Sequence, residues 1–294
     1  LIYGPTASGK SNFAINLAKK IKGEIVNADS MQVYKELKIL TDRPLKKKLK
    51  KINHHMYGFR KSNKDFSTGD WLKIATKKIS EIKKRKKIPI LVGGTGLYFK
   101  ALTEGLVEIT SIPTKFRNKI RLLQKSLGQE KFYQKLLKLD PKVANHINFT
   151  DAQRSIRAYE VKLYTNKSIL EWFKNTKPNF KKGEFIKLYI DHPRHELIKK
   201  IYLRTNEMLN TGAILEVKKF LQLGIPKNKS ISKAIGVAEI KDFIKKKINK
   251  DEVIEKIAIK TRQYAKRQVT WARGNMSSWK KIKHKRLNSF LKKI

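Results

Sequence analysis

The sequence predicts an α/β fold: a doubly wound parallel sheet with a helical insertion and a helical C-terminal part. Three observations carry that prediction. Leu1, Ile2 and Tyr3 form a short apolar start that runs into the glycine-rich GPTASGKS of residues 4–11, then into helical periodicity. A short buried strand is read at 24–29, and a continuous apolar run begins at Ile88, closed by a glycine turn and followed by helical spacing. The continuous apolar run suits a parallel strand covered on both faces. From Pro113 to about Lys182 the strand pattern stops and amphipathic helices replace it.

Gly4, Gly9, Lys10 and Ser11 have the spacing of a phosphate-binding loop between a strand and a helix. The core is therefore expected to be P-loop NTPase-like, a nucleotide-binding type of scaffold. Amides from Gly4 to Gly9, those of Thr6, Ala7 and Ser8 included, are expected to cradle an anion. Lys10 adds a cation, and Ser11 a hydroxyl suited to Mg2+. The helix predicted from Asn12 to Lys22 aims its positive dipole end at the same place. The motif does not say which phosphate ester is bound.

Gly23 ends that helix, and 24–29 predicts a buried strand with Asp29 and Ser30 at its carboxyl end, the edge where open α/β sheets bind ligands. Asp29 is a candidate to face that ligand, although an Asp-Ser pair also caps turns. Lys46–Lys51 is a charge run expected to be solvated. His54 and His55 are adjacent, so on a strand they face opposite ways, and no third ligand completes a metal set. A helix is predicted over 70–84. The run 88–99 ends in Gly93, Gly94, Thr95 and Gly96, a second turn where the backbone approaches something closely. In the insertion, helices are expected near 117–127 and 132–139, the latter stopped by Asp140 and Pro141; Asp151 caps a third. Residues 185–190 predict a returning strand, and 194–210, 212–223, 232–246 and 251–273 predict helices. The expected divisions are 1–112, 113–183 and 184–294.

Composition limits the function classes. The chain has 294 residues, 40% of them hydrophobic, enough for a substantial core. Lys and Arg number 69 against 24 Asp and Glu, a formal net charge of +45, which favours a polyanionic partner: nucleic acid or an anionic membrane surface. With no cysteine, a disulfide and a thiolate metal site are both excluded. No apolar run approaches the ~20 residues of a membrane span, and no secretory signal is visible, so a cytoplasmic protein is expected. Leu1 already lies in the first strand, so a few preceding residues are expected.

GPTASGKS at 4–11, NADSMQVY at 27–34 and LVGGTGLYFKAL at 91–102 resemble the tRNA dimethylallyltransferases, the isopentenyltransferases of tRNA. DAQRSIRAYE at 151–160, KAIG at 233–236 and TRQYAKRQVTW at 261–271 continue the resemblance in order across almost the whole chain. Two departures stand out. KILTDRP at 38–44 replaces the family's D-I-G-T-A-K-P, and Lys233 replaces a common Arg, keeping the charge without the planar fork.

The resemblance implies transfer of a dimethylallyl group from its diphosphate to the exocyclic amine of the adenosine 3′-adjacent to the anticodon. It implies Asp29 as general base and Thr95 near the diphosphate or the amine. The phosphate loop and Lys233 would hold the diphosphate, with Mg2+ at Ser11. It further implies tRNA contacts from Ser30, Gln32, Gln153, Arg154, Arg157, Arg262, Gln263, Lys266 and Arg267, with Tyr264 and Trp271 suited to base stacking. A tRNA anticodon stem-loop and dimethylallyl diphosphate are the expected partners, with no membrane, and a monomer is expected. A small-molecule P-loop kinase, an adenylate-accepting isopentenyltransferase and a non-catalytic RNA-binding protein remain alternatives.

Overall fold

The computed structural model describes residues 1–44 and 52–294, so the Lys46–Lys51 run lies outside the described residues. They form two compact units, residues 1–103 with 180–294, and residues 104–179. In chain order the first unit begins with β1 (Ile2–Tyr3), α1 (Lys10–Lys20), β2 (Gly23–Asn27), β3 (His54–His55), α2 (Thr68–Lys84), β4 (Ile88–Gly93) and α3 (Gly96–Glu104). The second unit contains α4 (Thr114–Leu139), α5 (Ala152–Thr165) and α6 (Ile169–Lys174). The chain then returns through β5 (Leu188–Asp191), α7 (Arg194–Met208), α8 (Ile214–Gln222), α9 (Val237–Ile244), α10 (Lys250–Asn275), β6 (Lys280–Lys283) and α11 (Leu287–Lys292).

The strands form one sheet in the order β3-β2-β4-β1-β5-β6, every neighbouring pair parallel. The doubly wound expectation is borne out. β1 lies where the strand order reverses, between β4 and β5, so the loop after it opens at the switch point of the sheet. Alternation along the strands builds two cores. Ile2, Ile25, Ile90, Val92, Leu188 and Ile190 pack with Phe13, Ala14 and Leu17 of α1 and Leu291 of α11. Tyr3 points the other way, with its ring 5.8 Å from Phe99, 5.9 Å from Tyr189 and 6.2 Å from Trp271.

Local chemistry sets the element ends. Ser67 and Asp70 form a capping box at α2, and Asn249 and Glu252 form another at α10. Asp151 caps α5 as expected, its Oδ1 accepting from the Arg154 amide at 3.0 Å. The two helices expected between 117 and 139 are one run broken at Gly128, whose φ of 75° leaves the helical region. The second unit encloses its own core, including Ile120, Phe132, Leu136, Ala158 and Val161. Among the described residues no helix is long and apolar enough to cross a membrane.

Candidate active site

A cavity of about 640 Å³ opens over the phosphate loop. Of the residues predicted from sequence, Thr6, Ala7, Gly9, Lys10, Ser11, Asp29, Ser30, Gln32, Lys233 and Arg267 line it. They come from the loop after β1, the end of β2, the turn before α9, and α10.

The loop's donors can be accounted for one by one. The Thr6 amide donates to Oε1 of Gln268 at 2.8 Å, and the Ser8 amide to the Pro5 carbonyl at 3.2 Å. These two amides are committed within the protein, which corrects the expectation that all of them cradle the anion. The amides of Ala7, Gly9, Lys10 and Ser11 have no acceptor among the described residues. Ala7 and Gly9 both have positive φ, 62° and 85°. At Gly9 a Cβ would meet nothing within 4 Å, so the glycine serves the turn itself rather than a packing contact. Gly4 and Ser8 lie beneath the loop, where a Cβ on Gly4 would stand 2.8 Å from the buried Ser8 hydroxyl.

Positive charge converges on the cavity. Lys10 donates to the Pro5 carbonyl at 3.2 Å, and burial pushes its ammonium down to about 8 against the pull of Asp29. Arg204, on α7, also lines the cavity, and sequence reasoning missed it. Its guanidinium donates to the Thr6 hydroxyl at 2.9 Å and to Asp42 at 3.0 Å. Nothing local could have singled it out, because it occupies an ordinary amphipathic helix some two hundred residues from the loop it touches.

Asp29 is held by its own turn. Its Oδ1 accepts from the amides of Met31 at 2.9 Å and Gln32 at 3.3 Å. Its other oxygen accepts no hydrogen bond among the described residues. The Asn27 side chain buttresses the turn, accepting from the Asp29 amide at 2.9 Å and donating to the Asp29 carbonyl at 3.0 Å. Gln32 donates to the carbonyls of Thr41 and Asp42, fastening the divergent 38–44 segment to the site. Glu216 of α8 fastens the same segment from behind, accepting from the amides of Lys38, Ile39 and Leu40 at 2.6–2.9 Å.

Thr95 does not line the cavity. Its hydroxyl accepts from the Ser30 amide at 3.0 Å, so it joins the Asp29 turn to the turn after β4. Tyr264 does line the cavity, and burial raises its phenol. Trp271, expected to suit base stacking, lies against the backbone of Gly96, where a Cβ would fall 2.2 Å from its ring. The close approach expected at the Gly93–Gly96 turn is thus to the protein itself. Gly94 abuts Gln268, and Gly93 abuts the Ala28 backbone.

The remaining predicted residues are not among those lining the cavity. Arg262, Gln263 and Lys266 are exposed on α10. Gln153, Arg154 and Arg157 are on α5 of the second unit. Arg154 pairs with Asp151 at 3.3 Å, whereas Arg157 joins Arg117 and Arg121 around the buried carboxylate of Glu160, at 3.5–4.0 Å. His54 and His55 are spent separately, one on the Ile52 carbonyl at 2.7 Å, the other on Glu24 at 2.6 Å.

Fold and site define a phosphate-loop α/β protein whose loop shares one cavity with a carboxylate. The chain matches the family model described as IPP transferase over residues 32–275, and it belongs to that family. It is 60% identical over 294 residues to the tRNA dimethylallyltransferase of Pelagibacter ubique, covering 100% of this chain and 94% of that protein. The tRNA dimethylallyltransferase of Rhizobium etli is 42% identical over 286 residues, covering 97% and 96%. Among solved structures, the tRNA isopentenylpyrophosphate transferase of Bacillus halodurans superposes with a TM-score of 0.70 at 30% identity, covering 99% of this chain and 93% of that one. A eukaryotic dimethylallyltransferase acting on tRNA gives 0.82 at 29%, covering 96% and 73%.

Proposed function

We infer that this chain is a tRNA prenyltransferase. It moves the dimethylallyl group of dimethylallyl diphosphate to the exocyclic amine of the adenosine 3′-adjacent to the anticodon, and releases pyrophosphate. The observation that carries this inference is the meeting, in one cavity, of a phosphate cradle with the carboxylate of Asp29 one strand away.

The uncommitted amides of Ala7, Gly9, Lys10 and Ser11, with the cations of Lys10, Arg204 and Lys233, bind the diphosphate and stabilise it as a leaving group. The amine nitrogen forms a bond to the dimethylallyl carbon as the carbon–oxygen bond to diphosphate breaks. The electron pair of that bond leaves with pyrophosphate. Asp29 takes the amine proton; its turn fixes one oxygen and leaves the other to accept. Thr95 holds the Asp29 turn through the Ser30 amide and so positions the base.

The described lining offers hard oxygen donors, the Ser11 hydroxyl and the carboxylates of Asp29 and Asp42, and contains no His or Cys, a set that fits Mg2+. Bound through Ser11 and diphosphate oxygens, Mg2+ would offset the charge growing on the leaving group.

An adenine stacked in an anticodon loop cannot reach this cavity, so the base flips out, at a cost of a few kcal/mol met by contacts to the extruded base. Ser30, Gln32 and Arg267, which line the cavity, contact the extruded base. Arg262, Gln263 and Lys266, and separately Gln153, Arg154 and Arg157 of the second unit, take backbone phosphates. The enzyme works in the cytoplasm as a monomer.

The test is incubation with labelled dimethylallyl diphosphate and either tRNA, AMP or no acceptor. Label is expected in tRNA alone. Label in AMP would establish the adenylate-accepting activity, and transfer of the γ-phosphate of ATP to a small-molecule acceptor would establish a kinase.

A further inference from the structure

We propose that His192, Glu196 and His284 form a binding site for one divalent transition-metal ion of the zinc class, separate from the diphosphate cavity. Parallel pairing of β5 and β6 sets Asp191 opposite Lys283, and the residue after each is a histidine. The register thus brings two imidazoles together at the carboxyl edge of the sheet, their rings stacked 4.0 Å apart at 23°. Glu196, in the first turn of α7, reaches Nε2 of His284 at 2.7 Å. One ligand atom from each of the three residues lies within 4.8 Å of the other two.

The chemistry of the donors selects the ion. Two imidazoles and one carboxylate are a three-ligand zinc set that leaves a fourth position for water. Imidazole nitrogen disfavours Mg2+ and Ca2+, which take oxygen. Zinc bonds of about 2.0–2.1 Å ask for donors about 3.4 Å apart in a tetrahedron, and the three donor atoms here stand within 4.8 Å of one another. His192 is buried, with Nδ1 3.3 Å from the Pro193 carbonyl, the kind of outer contact that fixes a ligand's tautomer. Its Nε2 lone pair faces the Lys200 ammonium at 2.9 Å, and a divalent ion would compete with that ammonium for the same pair. A bound ion would tie together the end of β5, the start of α7 and the end of β6. The proposal does not rest on the prenyl-transfer reading, since none of its ligands lines the cavity.

The full chain, stripped of metal by a chelator, is titrated with Zn2+ by calorimetry and with Co2+ by visible absorption, both in excess Mg2+. One ion per chain is expected, unaffected by Mg2+ and by Ser11→Ala. His284→Gln and Glu196→Gln should each weaken Zn2+ binding by about tenfold or more, with the metal-free circular dichroism unchanged. Binding equal to the parent in both variants, or lost in Ser11→Ala, would overturn the site. Paramagnetic Co2+ gives a check that needs no variant. The ring protons of His192 and His284 should shift or broaden first, and earlier loss of the His54, His55, His146 or His195 signals would mean surface-histidine binding only and sink the proposal.

Discussion

Asp29 has two separable tasks, because the oxygen that receives the Met31 and Gln32 amides is not the one left for a proton. Asp29→Asn keeps an acceptor for the turn and removes the base, whereas Asp29→Ala removes both. If the carboxylate is the base, both variants lose turnover by roughly 10²–10⁴-fold, while tRNA affinity stays near the parent's. Single-turnover rates decide it, and an Asn variant within a few-fold of the parent would leave Asp29 only its turn. Lys10 offers a second test at this scale. Burial holds its ammonium at about 8, below its ordinary 10.5. Between those values the unfolded chain binds more protons, so this residue's contribution makes stability rise with pH across that window. A bound diphosphate favours the charged form. Affinity for dimethylallyl diphosphate should therefore be full below about pH 8 and fall by up to about tenfold per pH unit above it. Lys10→Met should bind more weakly, and its affinity should lose this pH dependence.

The site elements differ in how far the sequence announces them. The phosphate loop and the Asp29 turn are legible because each is local: fixed glycine spacing in one case, an apolar strand ending in a polar pair in the other. Arg204, Gln268 and Glu216 are not, since each acts on a segment more than 170 residues away that no local pattern connects to it. The edge strands β3 and β6 also escape a periodicity search. One is two residues long, and the other is Lys280–Lys283, with Ile282 its single buried residue. Charged edges of that kind discourage pairing with other chains. The Gly93–Gly96 turn was legible as a close approach, but its partner was not. Gln268 receives the Thr6 amide and donates to the Gly94 carbonyl at 2.8 Å, so α10 clamps both glycine turns. Gly94→Ala would put a Cβ 2.1 Å from Nε2 of Gln268 and should cost about 1–3 kcal/mol. Gln268→Ala leaves buried partners unpaired, at about 1–3 kcal/mol for each group. Because the two residues touch, the double variant should be less destabilised than the sum of the singles. Additive losses in denaturant titrations would show that the clamp is not shared.

The chain carries a formal net charge of +45, and holding a diphosphate needs only a few cations, so most of the excess must be accounted for elsewhere. If it serves an anticodon stem-loop, each phosphate contact releases counterions, and log affinity falls with log salt by about 0.7–0.9 per contact. Arg262, Lys266 and Arg154 are exposed, and replacing any one with Ala should weaken tRNA binding and lower the slope by about one unit. Arg157 should behave differently. It shares the buried Glu160 with Arg117 and Arg121, so Arg157→Ala removes part of a charge cluster and should cost stability as well as affinity. A salt slope alone would follow from any RNA, which makes the informative substrate a tRNA with guanosine in place of the adenosine beside the anticodon. Phosphates dominate affinity, so this RNA should bind within about tenfold of the parent tRNA. It offers no adenine amine at that position and should accept no prenyl group there. Equal labelling of the two RNAs would move the target to another nucleotide, and binding indifferent to salt would detach the charge from tRNA altogether.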